Sequence, residues 1–143
     1  MGRRGRTRTA AVLTAAALSV SLSGCVLDAK YGFEESRVES ALSKSIGDVD
    51  NVVSVHAFAQ FNPTAKGITV NVDAEAADDD EVRAILREVL PAAVDATSGV
   101  KYASMVVTVS SVSDTSVHAN ASDLGLENNS IGAYREAYGS GPR

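Results

Sequence analysis

The chain has 143 residues, 45% of them apolar and 22% charged, with 13 basic residues against 18 acidic ones and a single cysteine. That length suffices for one ordinary domain and hardly for two. The acidic balance argues against the basic footprint of a nucleic-acid binder, and a lone cysteine leaves no intrachain disulfide to staple the core.

Arg3, Arg4, Arg6 and Arg8 precede an apolar run from Ala10 to Leu22, and small residues close it. A basic start, a short apolar middle and a small-residue end make the three-part pattern of a secretory signal over residues 1–24. The run is shorter than the ~20 apolar residues a membrane-spanning helix needs. The arginines favour an N-terminus held on the cytoplasmic side while the remainder is exported. Gly5-Arg6-Thr7 follows Arg3-Arg4 where a twin-arginine signal wants an apolar pair, so the general secretory route is expected.

Leu22-Ser23-Gly24-Cys25 resembles the lipobox of bacterial lipoproteins, in which an aliphatic and two small residues precede a lipid-accepting cysteine. The resemblance implies cleavage before Cys25, an S-diacylglyceryl group on its thiol and N-acylation of the new amino terminus. One acyl chain holds a protein only marginally, while ~0.8 kcal/mol per buried methylene makes two or three chains a stable anchor. The alternative is an ordinary signal peptide followed by a free cysteine. Loss of the signal removes four of the 13 basic residues and none of the 18 acidic ones, leaving nine against 18. A chain so acidic is not expected to dock on anionic lipid by its charge.

Residues 25–32 are expected to be the lipidated cysteine and a short tether, followed by an α+β domain over 33–112. Ser36 and Glu39 form a capping-box pattern, and Val38, Ala41, Leu42, Ser45 and Ile46 repeat at helical spacing up to Gly47. Period-two alternation then takes over, with Val53, Val55, Ala57, Ala59 and Phe61 on one face and Ile68, Val70, Val72 and Ala74 on the next strand. The intervening Asn62-Pro63-Thr64-Ala65-Lys66-Gly67 is rich in turn formers. A hairpin closed by Asn62 and Gly67 puts Phe61 opposite Ile68 and His56 opposite Asp73, although a slip of two residues preserves the apolar match.

Asp78 reads as an N-cap with Glu81 completing the box. Val82, Ile85, Leu86, Val89, Leu90, Ala93 and Val94 form an apolar stripe behind it. Pro91 is expected to kink that helix or end it near Leu90. Met105, Val107 and Val109 face one way in a third strand between Ala103 and Val112. Residues 113–143 read as a polar extension with an edge strand around Val117 and a short helix carrying Ile131, Tyr134 and Tyr138.

The expected architecture is a two-layer helix-strand-strand-helix-strand domain with a mostly antiparallel sheet and a short C-terminal helix. This element order is similar to that of the envelope-associated BON domain, a family linked to phospholipid or envelope attachment. The hairpin departs from that family, which has a short glycine-centred turn in place of these six residues.

The acidic stretch Asp73, Glu75 and Asp78 to Glu81 lacks the spacing and glycine of a calcium loop, and helix capping accounts for most of it. His56, Phe58 and Asp73 fall on the sheet face away from the main apolar set and form a candidate binding face. A carboxylate beside His56 favours its charged form, and Ser54 is the one obvious nucleophile nearby. His118 stands far along the chain from His56, without metal-ligand spacing. No metal or other cofactor is expected. No nucleophile elbow, phosphate loop or zinc-type cysteine cluster is present.

The expected function is therefore a lipid-anchored, non-enzymatic interaction or binding module on the outer face of the cytoplasmic membrane, its partners being the membrane itself and an envelope protein or ligand. The alternative is a small hydrolase or metal-dependent enzyme centred on His56 and nearby carboxylates. A ligand-capturing lipoprotein for a transporter would need two lobes, and the chain suffices for one.

Overall fold

The structure is a computed structural model that describes residues 22–139, with side chains from Lys30 onward. Eight elements follow in order: α1 (Leu22–Gly47), β1 (Val52–Phe61), β2 (Lys66–Ala74), α2 (Asp79–Ala96), β3 (Ser104–Ser111), β4 (His118–Asn120), a 3-10 turn (Ala121–Leu124) and α3 (Ile131–Tyr138). The four strands form one sheet in the order β1-β2-β3-β4. β1 pairs antiparallel with β2, β2 parallel with β3, and β3 antiparallel with β4. The domain is the α+β arrangement expected, with a mostly antiparallel sheet.

α1 and α2 cover one face of the sheet. Val38, Leu42 and Ile46 of α1 are buried, as are Val82, Ile85, Leu86, Val89, Leu90, Ala93 and Val94 of α2. They meet Ala59 and Phe61 of β1, Ile68, Val70 and Val72 of β2, and Met105, Val107 and Val109 of β3 in one core cluster. The period-3.6 stripes and the period-two alternations thus close on each other, as two layers require.

α1 begins fourteen residues before the expected cap, at Leu22, and the segment read as a tether continues it as helix. Ser36 and Glu39 lie inside the helix, so they do not form a box. The Glu39 carboxylate instead accepts the Ala59 N–H at 2.8 Å, and Glu35 accepts the Phe61 N–H. β1 is an edge strand, and these two carboxylates, one helical turn apart, occupy donors that would otherwise be open to another chain.

The hairpin register also differs from expectation by two residues. Ala59 pairs with Ile68, Ala57 with Val70 and His56 with Asn71. The cause is Asn62, whose Oδ1 accepts from Thr64 N, Thr64 Oγ1 and Ala65 N, while its own N–H donates to the Ala65 carbonyl. This side-chain turn closes the loop early, so that Phe61 already pairs with Lys66.

Asp78 caps α2 as expected, accepting the Glu81 N–H at 2.9 Å, but the Glu81 carboxylate reaches the Ala77 N–H rather than that of Asp78. α2 does not end at Leu90; it runs through Pro91 to Ala96. Proline leaves only the Arg87 carbonyl without its helical donor, and Arg87 is exposed to water. Burial of Ala93 and Val94 and the Ser45 hydroxyl's bond to the Ala92 carbonyl hold the last turn in place. Thr97 then closes the helix, its Oγ1 donating to the Ala93 and Val94 carbonyls.

The polar extension carries the short helix expected and also completes the sheet through β4. It contributes Ala119, Ala121, Ile131 and Tyr134 to the core. Arg135 ties α3 to the end of α2, with its Nη2 donating to the Thr97 carbonyl at 2.6 Å and to the Val100 carbonyl.

Candidate functional site

The face of the sheet turned away from the helices is open. Alternation along each strand places Ser54, His56, Phe58 and Gln60 of β1 there, beside Thr69, Asn71 and Asp73 of β2. Val106, Thr108 and Ser110 of β3 follow, then His118 and Asn120 of β4. Asp73 is the only carboxylate in this set, and no lysine or arginine belongs to it. Depletion of charge on an exposed face is a feature of interaction surfaces. Phe58, 60% exposed, sits across from Thr69, with Val106 on the next strand giving a small apolar patch. Glu127 and Asn129 of the C-terminal segment border the face on its β3–β4 side, lining a cavity of about 190 Å³ together with Val106 and Asn120.

The sequence pairing of His56 with Asp73 is met on the diagonal. In the observed register Ser54 stands opposite Asp73 and His56 opposite Asn71. The imidazole Nε2 nevertheless lies 3.7 Å from Asp73 Oδ2 and 3.4 Å from Ser54 Oγ. The Ser54 hydroxyl donates to Asp73 Oδ2 at 2.6 Å.

Three residue types of a hydrolase triad are therefore together, but in an arrangement that does not activate a nucleophile. In a working triad one imidazole nitrogen takes the hydroxyl proton while the carboxylate holds the other nitrogen. Here the carboxylate itself accepts the hydroxyl's hydrogen bond, and a single imidazole nitrogen faces both groups. The His56 and Asp73 side chains are 72% and 44% exposed, so solvent screens the pair. Replacing His56 by alanine should accordingly change the unfolding free energy by less than about 1 kcal/mol, as read from urea denaturation.

His118 lies on the same face, opposite Ser110, with its Nδ1 3.1 Å from the Ser116 carbonyl. Two strand spacings, roughly 10 Å, separate its row position from Asp73, so the two histidines and the carboxylate do not form a common ligand set. Among the described residues no group of three or more His, Cys, Asp or Glu is arranged to hold a metal ion. The acidic stretch does line one cavity of about 380 Å³, where Glu75 and Glu81 are joined by Asp50 from the turn before β1 and by Glu88 further along α2.

Two cavities at the opposite end of the sheet were not legible in the sequence. They measure about 320 and 450 Å³, and Lys101 and Tyr102 stand between them. Tyr102 is 94% exposed and has a φ of 56°, a left-handed conformation uncommon for a bulky side chain.

Residues 1–21, most of the expected signal peptide, lie outside the described residues. The backbone of Leu22 to Cys25 forms the start of α1, and the Cys25 side chain is likewise outside them. No described helix is long and apolar enough to cross a membrane. Comparison of the chain with family models, curated proteins and solved structures found no match in any of the three.

Proposed function

We propose that the protein is a lipoprotein of the cell envelope, anchored through Cys25 on the outer face of the cytoplasmic membrane and acting there as a non-enzymatic interaction module. The observation that carries this reading is Leu22-Ser23-Gly24-Cys25 at the close of a basic-then-apolar N-terminal segment. The charge-poor sheet face around His56, Phe58 and Asp73 supports the interaction half of it, because hydrogen-bonding groups and one exposed ring stand free on a rigid scaffold. BON-like envelope attachment remains a proposal on element order alone.

Mass spectrometry of the membrane fraction tests the anchor. Cys25 is expected to carry a diacylglyceryl group and an acylated amino terminus, and Cys25→Ala protein is expected to persist as the uncleaved precursor. Unmodified mature protein recovered from the medium would sink the proposal. Cross-linking from a photoreactive group at Phe58 in intact cells tests the interaction face, with one recurring partner expected.

A second reading, a small hydrolase or metal-dependent enzyme, has in its favour the juxtaposition of Ser54, His56 and Asp73. Its test is the ring resonances of His56 during calcium or zinc titration. An unchanged titration leaves that reading without its centre.

A further inference from the structure

We propose that the end of the domain from which the anchor emerges is a bilayer-contacting surface, with Tyr102 and Phe33 seated among the lipid headgroups. This rests on acylation of Cys25 and adds to it an orientation and the residues that enforce it.

The topology gathers four segments at one end of the sheet. β1 finishes there at Phe61 and β2 starts there at Lys66. The parallel β3 must begin at the same end, so the connection from Thr97 to Ala103 and the start of α3 lie there too. α1 passes this end with Glu35 bonded to Phe61 and continues beyond it. Cys25 precedes Glu35 by ten residues of helix, which at 1.5 Å per residue is roughly 15 Å. A helical lead of that length, in place of an extended tether, keeps this end close to the acyl chains.

The groups exposed at this end suit the interface. Phe33 on α1 is 75% exposed and Tyr102 is 94% exposed. Aromatic rings favour the headgroup level of a bilayer, where the ring is partly desolvated and a hydroxyl stays wet. Lys30 and Lys101 beside them are exposed, and lysine stems can lie along lipid while the ammonium reaches phosphate.

Tyr102 is presented by a braced loop. Arg135 grips the Thr97 and Val100 carbonyls, and the Ile131 N–H donates to the Ala103 carbonyl at 2.8 Å. A tyrosine is thus fixed in a left-handed conformation with its ring in water and a cavity on either side. Nothing within the domain rewards that placement.

Charge points the same way once it is mapped on the fold. Asp48, Asp50, Glu75, the run Asp78 to Glu81 and Asp114 belong to the opposite end, where α1 and β2 finish and α2 starts. At the anchored end Glu34 is paired with Lys66 at 3.5 Å, and Glu35 and Glu39 are engaged by β1. Asp95 in the last turn of α2 is exposed. Eight of the 18 acidic residues are thus gathered at the far end, which a negatively charged surface repels and so helps keep outward, while Glu127 before α3 and Glu136 on it are exposed.

The chain has no tryptophan, so one substitution makes a site-specific fluorophore. Full-length acylated protein carrying Tyr102→Trp, Phe33→Trp, Phe58→Trp or Val112→Trp is reconstituted in phosphatidylcholine vesicles with brominated acyl chains. Tryptophan at 102 and at 33 is expected to be blue-shifted and quenched several-fold more than at 58, on the open sheet face, or at 112, at the far end. Equal quenching at all four positions, or the strongest quenching at 58, in acylated and vesicle-bound protein overturns the orientation alone. Protein that lacks acyl groups and leaves the vesicles overturns the anchor and the orientation together.

Discussion

Tyr134→Ala should lower the unfolding free energy by about 3–5 kcal/mol, the range for truncating a buried aromatic residue. Tyr134 is 1% exposed and is the largest fully buried side chain. It sits in a helix of eight residues, too short to persist without tertiary contacts. Removing the ring opens a cavity and frees α3 together, against a total stability of about 5–15 kcal/mol for a domain of this kind. Urea denaturation should show a lower midpoint, and a change below about 1 kcal/mol would mean that α3 is not part of the cooperative unit.

The same residue gives a signed pH effect. Burial pushes the Tyr134 hydroxyl above its ordinary pKa of 10.0, the Val107 backbone pulls it partly back, and neighbouring Tyr138 adds to the rise. The fold therefore favours the neutral phenol. Its contribution is complete below the unfolded pKa near 10 and is lost as pH climbs through the higher folded value. Wild-type protein should lose stability above pH 10 more steeply than Tyr134→Phe, which has no proton to give up. Parallel curves for the two proteins would remove Tyr134 from the alkaline transition.

How far the sequence could be read depended on whether the deciding contact was local. The α2 stripe is local, and all seven apolar positions expected from Val82 to Val94 are buried. The alternations of β2 and β3 were equally plain, because one face of each strand meets the helices. That of β1 holds from Val55 onward, whereas Val53, expected on the apolar face, is 57% exposed beyond a register shift between Val52 and Ser54. The start of α1 was misread because Ser36 and Glu39 match a capping box, while the partner of Glu39 is Ala59 in another element. The hairpin slipped by two because apolar alternation is blind to even shifts, and three bonds to one Asn62 oxygen decided the loop.

The candidate site divides in the same way. His56, Phe58 and Asp73 could be assigned to the outward face from parity alone. That Ser54 rather than His56 takes the Asp73 carboxylate depends on register, and register was the weak point. Tyr102 carried no sequence signal, since a positive φ at a non-glycine residue is set by the bonds of Arg135 and Ile131 around it.

The second large effect is expected at the edge of the sheet. Replacing Glu35 and Glu39 together by alanine should destabilise the domain by about 3–6 kcal/mol, from about 1.5–3 kcal/mol for each bond to a charged acceptor. The two carboxylates take the Phe61 and Ala59 N–H groups, and among helix–strand contacts it is α1 that lies along β1. Alanine at both positions leaves a ten-residue edge strand with donors free to pair with another chain. Lower stability should therefore be accompanied by concentration-dependent association, seen by light scattering at protein concentrations where the parent remains unassociated. The double glutamine variant separates the two causes. An amide oxygen still accepts both N–H groups but as a neutral partner, so Glu35→Gln with Glu39→Gln should lose less stability and stay unassociated. Association of the glutamine variant to the same degree as the alanine variant would show that repulsion by the two charges guards the edge. Absence of association in both would show that the bulk of α1, which covers β1 whatever stands at 35 and 39, is sufficient.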